Sequence, residues 1–369
     1  MNRIFRWDQT GLFLLALAAG ILPFAVPEVC AAALREGLTL CSGPLLLSLF
    51  PFLVVSRLLI QCPESDLLAL PFRLAAWGIG IRTPCAARVL CIGFLGGFAP
   101  AASAAAQAVR TDQLTAEEAD ALLPACICSG PSFVVLTVGQ SLLGSAELGV
   151  LLFASQITAN YLTAALLNRF AGVRSVKPRS AAPASPAPPR LDEILADAAI
   201  TYCKLCGFIL FFRMLAAGAG ALLPAGAGTL CAVLLEVCSG CDLASRTGRW
   251  GSLLCCAALS VQGLSVLLQV RTICPPEMTL RPLYRSRLLH LPLSLALFYL
   301  LLPGGETDVF STLPARVLLM RRVPPDCALL VFAVCCMAAC TLRSGIRQVE
   351  QKQMARNAGG CCINSKTLL

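Results

Sequence analysis

The sequence predicts an all-α polytopic membrane protein of about eight transmembrane helices plus two re-entrant hairpins in inverted-topology repeats. Three observations carry that expectation. Of 369 residues, 57% are hydrophobic and 13% charged, against roughly 25% charged in soluble domains. Two apolar stretches are interrupted by helix-breaking chemistry, at Gly96-Gly97-Phe98-Ala99-Pro100 and at Ser129-Gly130-Pro131-Ser132. Proline removes a backbone donor and glycine frees the chain, so both breaks expose peptide groups that hydrocarbon cannot satisfy unless they are buried in protein or line a cavity. Finally, residues 129–167 overlay residues 260–298 with a constant shift of 131 positions and no gap, placing Ser155 on Ser286, Leu162 on Leu293 and Thr163 on Ser294. Upstream, GFLGGFAPAAS is answered by LLEVCSGCDLAS, and PFLVVSRLL by GFILFFRML with Arg57 opposite Arg213.

Taken in order, an uncleaved first span is expected over 11–33, although Cys30-Ala-Ala-Ala imitates a signal-peptidase site. A second span follows over 39–60, then a mixed segment over 63–88 that suits an interfacial amphipathic helix. Small residues after Pro100 favour a close-packed hairpin over 86–108. Thr115-Ala-Glu-Glu reads as a helix start leading to a crossing that ends near Val138, broken at 129–132, before a return over 148–167. A Pro/Ala/Ser-rich linker carries Arg169, Arg174, Lys177, Arg179 and Arg190. The second half supplies a span over 202–222, a hairpin over 228–245, and spans over 250–270 and 283–303. An interfacial helix over 308–322, a last span over 326–342 and a tail with Cys361-Cys362, a candidate for acylation, complete the chain. The units are therefore 1–36, a first repeat over 37–170, a linker over 171–190, a second repeat over 191–303, and 304–369.

Basic residues orient this layout. With the N-terminus cytoplasmic, 20 of the 29 Lys/Arg fall on the inner side, six outside, and Arg57, Lys204 and Arg213 within spans. The span over 148–167 then runs inward and its copy over 283–298 outward, so the repeats are inverted. Inverted halves with interrupted helices are the organisation of many secondary transporters, which hold substrate near the midplane.

Catalysis has little to work with. The chain has one histidine, no HExxH, no GxSxG and no phosphate-binding loop after a strand. No enzyme activity, cofactor, metal site or nucleic-acid partner is expected. The 21 cysteines lie mostly in apolar runs, where they act as small hydrophobes, and the pairs Cys203/Cys206 and Cys238/Cys241 read as packing rather than ligation. The candidate substrate-binding residues are those at the breaks: Pro100, Ser103, Ser129, Gly130, Pro131, Ser132, Glu236, Ser239, Asp242, Ser260, Gln262 and Ser265. Arg57 and Arg213 are candidate anion contacts or, equally, snorkelling side chains.

FPFLVVSRLL, GFLGGFAPAA, QLTAEEADALL leading into CSGPSF, LGVLLFASQITAN, LLEVCSG and LSVQGLSVLLQ give the chain a resemblance over roughly 40–300. Their order and spacing resemble the YlbJ (SpoVV-like) sporulation integral membrane proteins, whose nucleoside-recognition, or Gate, domains are related to those of concentrative nucleoside transporters. The resemblance implies a bacterial membrane around the forespore and transport of a small anion such as dipicolinate, coupled to H+ or Na+. The alternatives are a non-transporting scaffold for spore envelope assembly and a nucleoside transporter. Oligomeric state is left open.

Overall fold

The computed structural model describes residues 9–61, 65–172 and 190–302, and every regular element among them is helical. Arg174, Lys177 and Arg179 of the expected linker, the interfacial helix over 308–322, the last span over 326–342 and the cysteine tail lie outside the described residues.

The N-terminal region is more divided than expected. In place of spans over 11–33 and 39–60 there are three helices: α1 (Gln9–Ala25), α2 (Pro27–Ser42) and α3 (Pro44–Gln61). Pro27 has no N–H to continue α1 and instead starts α2, while Gly43 separates α2 from α3. The mixed segment forms α4 (Ser65–Leu68) and α5 (Leu70–Gly78). Asp66 of α4 pairs with Arg88 at 3.1 Å, fastening the segment to the next helix.

The first hairpin is α6 (Pro84–Gly96) and α7 (Phe98–Arg110), turning at Gly97 and not at Pro100. Pro100 sits in the first turn of α7, where a missing N–H has no intrahelical acceptor to lose. A capping box follows: Thr115 Oγ1 accepts from the Glu118 N–H at 3.1 Å, and Glu118 accepts from the Thr115 N–H at 3.1 Å. It starts α8 (Ala116–Cys126), which ends in irregular backbone before a π-helix over Ser132–Leu142. The break thus begins two residues earlier than the sequence suggested, and Ser132 already belongs to the π-helix. Next, α9 (Ala146–Ala171) is continuous and packs on the π-helix through Gly139 against Gly149.

The same order returns. After α10 (Leu191–Leu222), which starts earlier than expected, come a hairpin of α11 (Ala225–Leu235) and α12 (Val237–Ser245), a broken helix of α13 (Gly251–Val261) and α14 (Gly263–Ile273), and the long α15 (Arg281–Leu301). Here the break is confined to Gln262 and Gly263, both at positive φ, so Ser260 and Ser265 are helical.

Contacts fix the sense of the two halves. His290 Nε2 donates to the Gln156 carbonyl at 3.2 Å and Arg287 Nη2 to Asn160 Oδ1 at 3.2 Å, so α9 and α15 run antiparallel. Asp120 near the start of α8 accepts from the Thr279 and Leu280 N–H groups at 2.8 and 3.1 Å, bringing the starts of α8 and α15 together.

The interior is mainly apolar, but Gln156, Asn160, Ser260, His290 and Ser294 are buried within it, while Phe24, Phe170, Leu288 and Leu300 are more than three-quarters exposed. Four stretches are long and apolar enough to cross a bilayer: Pro27–Leu47, Ala146–Ala171, Leu191–Leu222 and Gly248–Ile273. The last includes the break at Gln262. Large apolar side chains on the outside of such helices suit a bundle surrounded by lipid.

Asp120 joins the halves, since its two oxygens accept from the N–H groups of Thr279 and Leu280 in the turn that leads into α15. Asp120→Ala should cost about 1–3 kcal/mol, read as a lower melting temperature of the purified protein. Asp192→Ala, which removes an exposed pair with Arg190, should cost less than about 1 kcal/mol. Equal melting of the two variants would contradict the assignment.

Candidate functional site

In each half the hairpin turn rests against the broken helix. Gly97 adopts φ +79°, and a Cβ there would lie 2.6 Å from the Gly130 nitrogen. Gly263 adopts φ +70°, and a Cβ there would lie 2.9 Å from the Glu236 nitrogen. Both positions combine a left-handed backbone with a backbone-to-backbone approach, which only glycine permits. The hairpin turn and the helix break therefore form one layer in each half.

These layers meet at a cavity of about 50 Å³. Gly96 and Phe98 come from the first hairpin, Ser129, Gly130 and Ser132 from the first break, Glu236 and Cys238 from the second hairpin, and Gln269 from the second broken helix. Leu45, Leu49 and Ile209 supply an apolar wall. At 10–15 Å³ per water, the space holds a few waters and no large solute.

The polar groups around it are arranged by helix ends. The Glu236 carboxylate accepts from the Cys238 and Ser239 N–H groups at 2.8 and 2.7 Å and from Ser239 Oγ at 2.8 Å, capping α12. By contrast α7, the π-helix and α14 have no side-chain cap at Gly97, Pro131 and Gln262. An uncapped N-terminus carries roughly +0.5 of an elementary charge and free N–H groups. Gln269 donates to Ser265 Oγ at 3.0 Å, while its Oε1 is buried with no hydrogen-bond partner among the described residues.

A second arrangement stabilises the breaks from behind. Arg287 on α15 donates to the Ile127 carbonyl at 3.4 Å, at the C-terminal end of α8. Gln156 on α9 donates to the Cys256 carbonyl in the middle of α13 at 3.2 Å and to Ser260 Oγ near its C-terminal end at 2.9 Å. The shift of 131 that relates the repeats places Gln156 on Arg287. Each half's long helix thus reaches across to the other half's interrupted helix.

Of the residues expected from the sequence, Ser129, Gly130, Ser132 and Glu236 line the shared cavity. Ser239 supports Glu236, and Ser265 holds Gln269. Pro131 starts the π-helix, and Gln262, with a buried unpartnered Oε1, occupies the second break. Pro100 packs under Gly96. Ser260 lies instead in the network with Gln156 and Ser294. Asp242 pairs with Arg246 at 2.8 Å, at the far end of α12.

Neither expected arginine reaches this cavity. Arg57 pairs with Asp197 at 2.6 Å and Arg213 with Glu36 at 2.6 Å, each partner being largely exposed. Ser103 and Arg57 instead line a second, polar cavity of about 150 Å³ together with Arg110, Asp197, Lys204 and Thr272. Helices α3, α7, α10 and α14 wall both cavities, and the apolar cluster of Leu53, Ala99 and Leu205, with Phe98 and Ile273 packed against it, is built from the same four helices.

Arg287, Gln156, Asn160 and Gln269 were missed from the sequence. Arg287 had counted as one more inner-side cation, whereas it is 8% exposed in the bundle interior. The repeat held the signal, because it aligns Gln156 with Arg287.

The described residues thus form an all-helical bundle with apolar helices long enough to cross a bilayer and a mostly apolar cavity between interrupted helices, into which Glu236, Ser129, Ser132 and Gln269 bring the polar groups. No protein-family model, curated protein or solved structure matches the chain.

Gly97→Ala and Gly263→Ala should each displace a hairpin from its break and lower the melting temperature markedly. Gly144→Ala is the control: φ is +73° but nothing lies within 4 Å of a Cβ, so only backbone strain of about 1–2 kcal/mol is added. If all three melt alike, close backbone approach is not what holds the hairpins.

Proposed function

We propose that the protein is a secondary transporter of eight spans with two re-entrant hairpins, built as inverted repeats. The observation that carries the reading is the convergence of both hairpin turns and the first helix break around one cavity, with Val266 and Gln269 of the second broken helix closing it. In support, Arg88 on α6 donates to the Ile60 carbonyl at the end of α3 at 2.7 Å, and Arg110 at the end of α7 donates to the Ile273 carbonyl at the end of α14. Both ends of the first hairpin therefore sit beside helix ends at one pole, as in a re-entrant loop entering from that side. The second hairpin packs its start on Gly220 of α10 and its end on Gly251 of α13, suiting entry from the other side. Positive-inside counting makes the first pole cytoplasmic.

The substrate in this reading is a small anionic metabolite of the dipicolinate type, moved across a membrane surrounding the forespore with H+ or Na+ as the coupling ion. The uncapped N-termini of α7, the π-helix and α14 favour an anion, and the sporulation setting rests on the family resemblance alone. A nucleoside is the second reading. It is favoured by Glu236 and the unpartnered Gln269 Oε1, acceptors that suit a solute rich in hydrogen-bond donors.

Purified protein in liposomes, under an imposed H+ or Na+ gradient, should accumulate labelled dipicolinate. Gln269→Leu should reduce uptake roughly fivefold, the loss of about one hydrogen bond. Glu236→Gln should reduce uptake further by weakening the α12 cap. Preference for a nucleoside would select the second reading, and a parent protein that moves neither solute would leave a scaffold.

A further inference from the structure

We propose that Arg287 is the counter-charge for the substrate anion, which deepens the transport reading and rests on it. The guanidinium is buried, and every hydrogen bond it makes goes to a neutral acceptor: the Ser286 hydroxyl at 3.3 Å, the Ile127 carbonyl at 3.4 Å and the Asn160 amide oxygen at 3.2 Å. It forms no ion pair among the described residues. A buried cation without an acid is costly in a membrane interior, and such residues mark solute pathways.

The repeat separates the charge from the structural task. Gln156, the equivalent residue, reaches α13 with a neutral amide, donating to the Cys256 carbonyl in mid-helix and to Ser260 Oγ near its end. Bridging to the other half's interrupted helix from this position therefore does not require a positive charge, and we take the charge at Arg287 to be surplus to that role. Its position gives it a use. The Ile127 carbonyl that it holds lies two residues before Ser129 and three before Gly130, both of which line the shared cavity. In this low-dielectric interior a cation behind the break raises the potential of the cavity, reinforcing the uncapped N-termini of α7 and the π-helix. A small carboxylate is the chemical class that fits.

One internal alternative is built into the same geometry. Glu236 is also buried and also lacks an ion pair among the described residues, and its hairpin counterpart is Gly97. Arg287 could then serve only to balance Glu236 across the cavity. The two cases respond oppositely to the double variant.

Dipicolinate binding to purified protein is measured by calorimetry, and uptake by proteoliposomes, for the parent, Arg287→Gln, Arg287→Lys and Arg287→Gln/Glu236→Gln. Arg287→Gln copies the other half, so it should melt near the parent while anion affinity falls about tenfold, the order expected of a unit charge acting at a distance through the protein interior. Arg287→Lys should retain most of the affinity, and the double variant should bind no better than Arg287→Gln. Parental affinity in Arg287→Gln overturns the proposal, as does recovery of affinity in the double variant. A parent that binds dipicolinate but moves none contradicts transport while leaving the counter-charge supported; a parent that neither binds nor moves it overturns both. Should Arg287→Gln fail to fold, the surplus-charge argument is wrong, and loss of affinity in the folded Arg287→Lys would likewise count against it.

Discussion

The structure depends on satisfying backbone groups that interrupted helices expose inside an apolar bundle. A broken helix in hydrocarbon leaves N–H and C=O groups with no water to accept them, each costing several kcal/mol if orphaned. Here the groups are covered by close approach and by reaching side chains. Gly97 lets the first hairpin lie on Gly130, and Gly263 lets the second broken helix lie on Glu236. From the far side, Arg287 donates to the carbonyl at the end of α8 and Gln156 to a carbonyl within α13. The uncapped N-termini of α7 and the π-helix border the space where the halves meet. Covering the breaks and forming the cavity are thus one arrangement.

The order of hairpin, broken helix and long helix occurs twice, and the two copies differ at particular residues. The two long helices α9 and α15 pack antiparallel, and each donates to the other half's broken helix. Two buried positions depart from the symmetry with a charge. The first hairpin turns on Gly97 where the second turns on Glu236, and the first long helix carries Gln156 where the second carries Arg287. Glu236 uses its charge to cap α12, whereas the charge of Arg287 meets only neutral acceptors among the described residues.

Much of this was legible in the sequence because it is local. The Pro and Gly interruptions, the Thr115 capping box and the gap-free repeat are properties of short segments and of their spacing. Turn positions were less legible: the interruption was read over the five residues Gly96–Pro100, yet proline is accommodated in a first turn, and the turn is at Gly97 alone, at positive φ. The pairing of Arg57 with Asp197 and of Arg213 with Glu36 joins residues more than a hundred positions apart, and no local pattern announces it. Arg287 was hidden by the same rule that oriented the chain, since counting cations by proximity to helix ends treats a buried arginine one turn into α15 as an inner-side charge. Gln269 lies in a stretch read only as part of a span, and its unpartnered oxygen appears only when the helices are packed.

The central claim is that the paired interruptions of both halves form one solute site. The most direct measurement is an electron cryomicroscopy structure of the protein in lipid nanodiscs with saturating dipicolinate. The account predicts ligand density bounded by Ser129–Ser132 on one side and Glu236 and Gln269 on the other, with the hairpin turns still resting on the breaks. Ligand density away from both breaks, or breaks that face lipid, would contradict it.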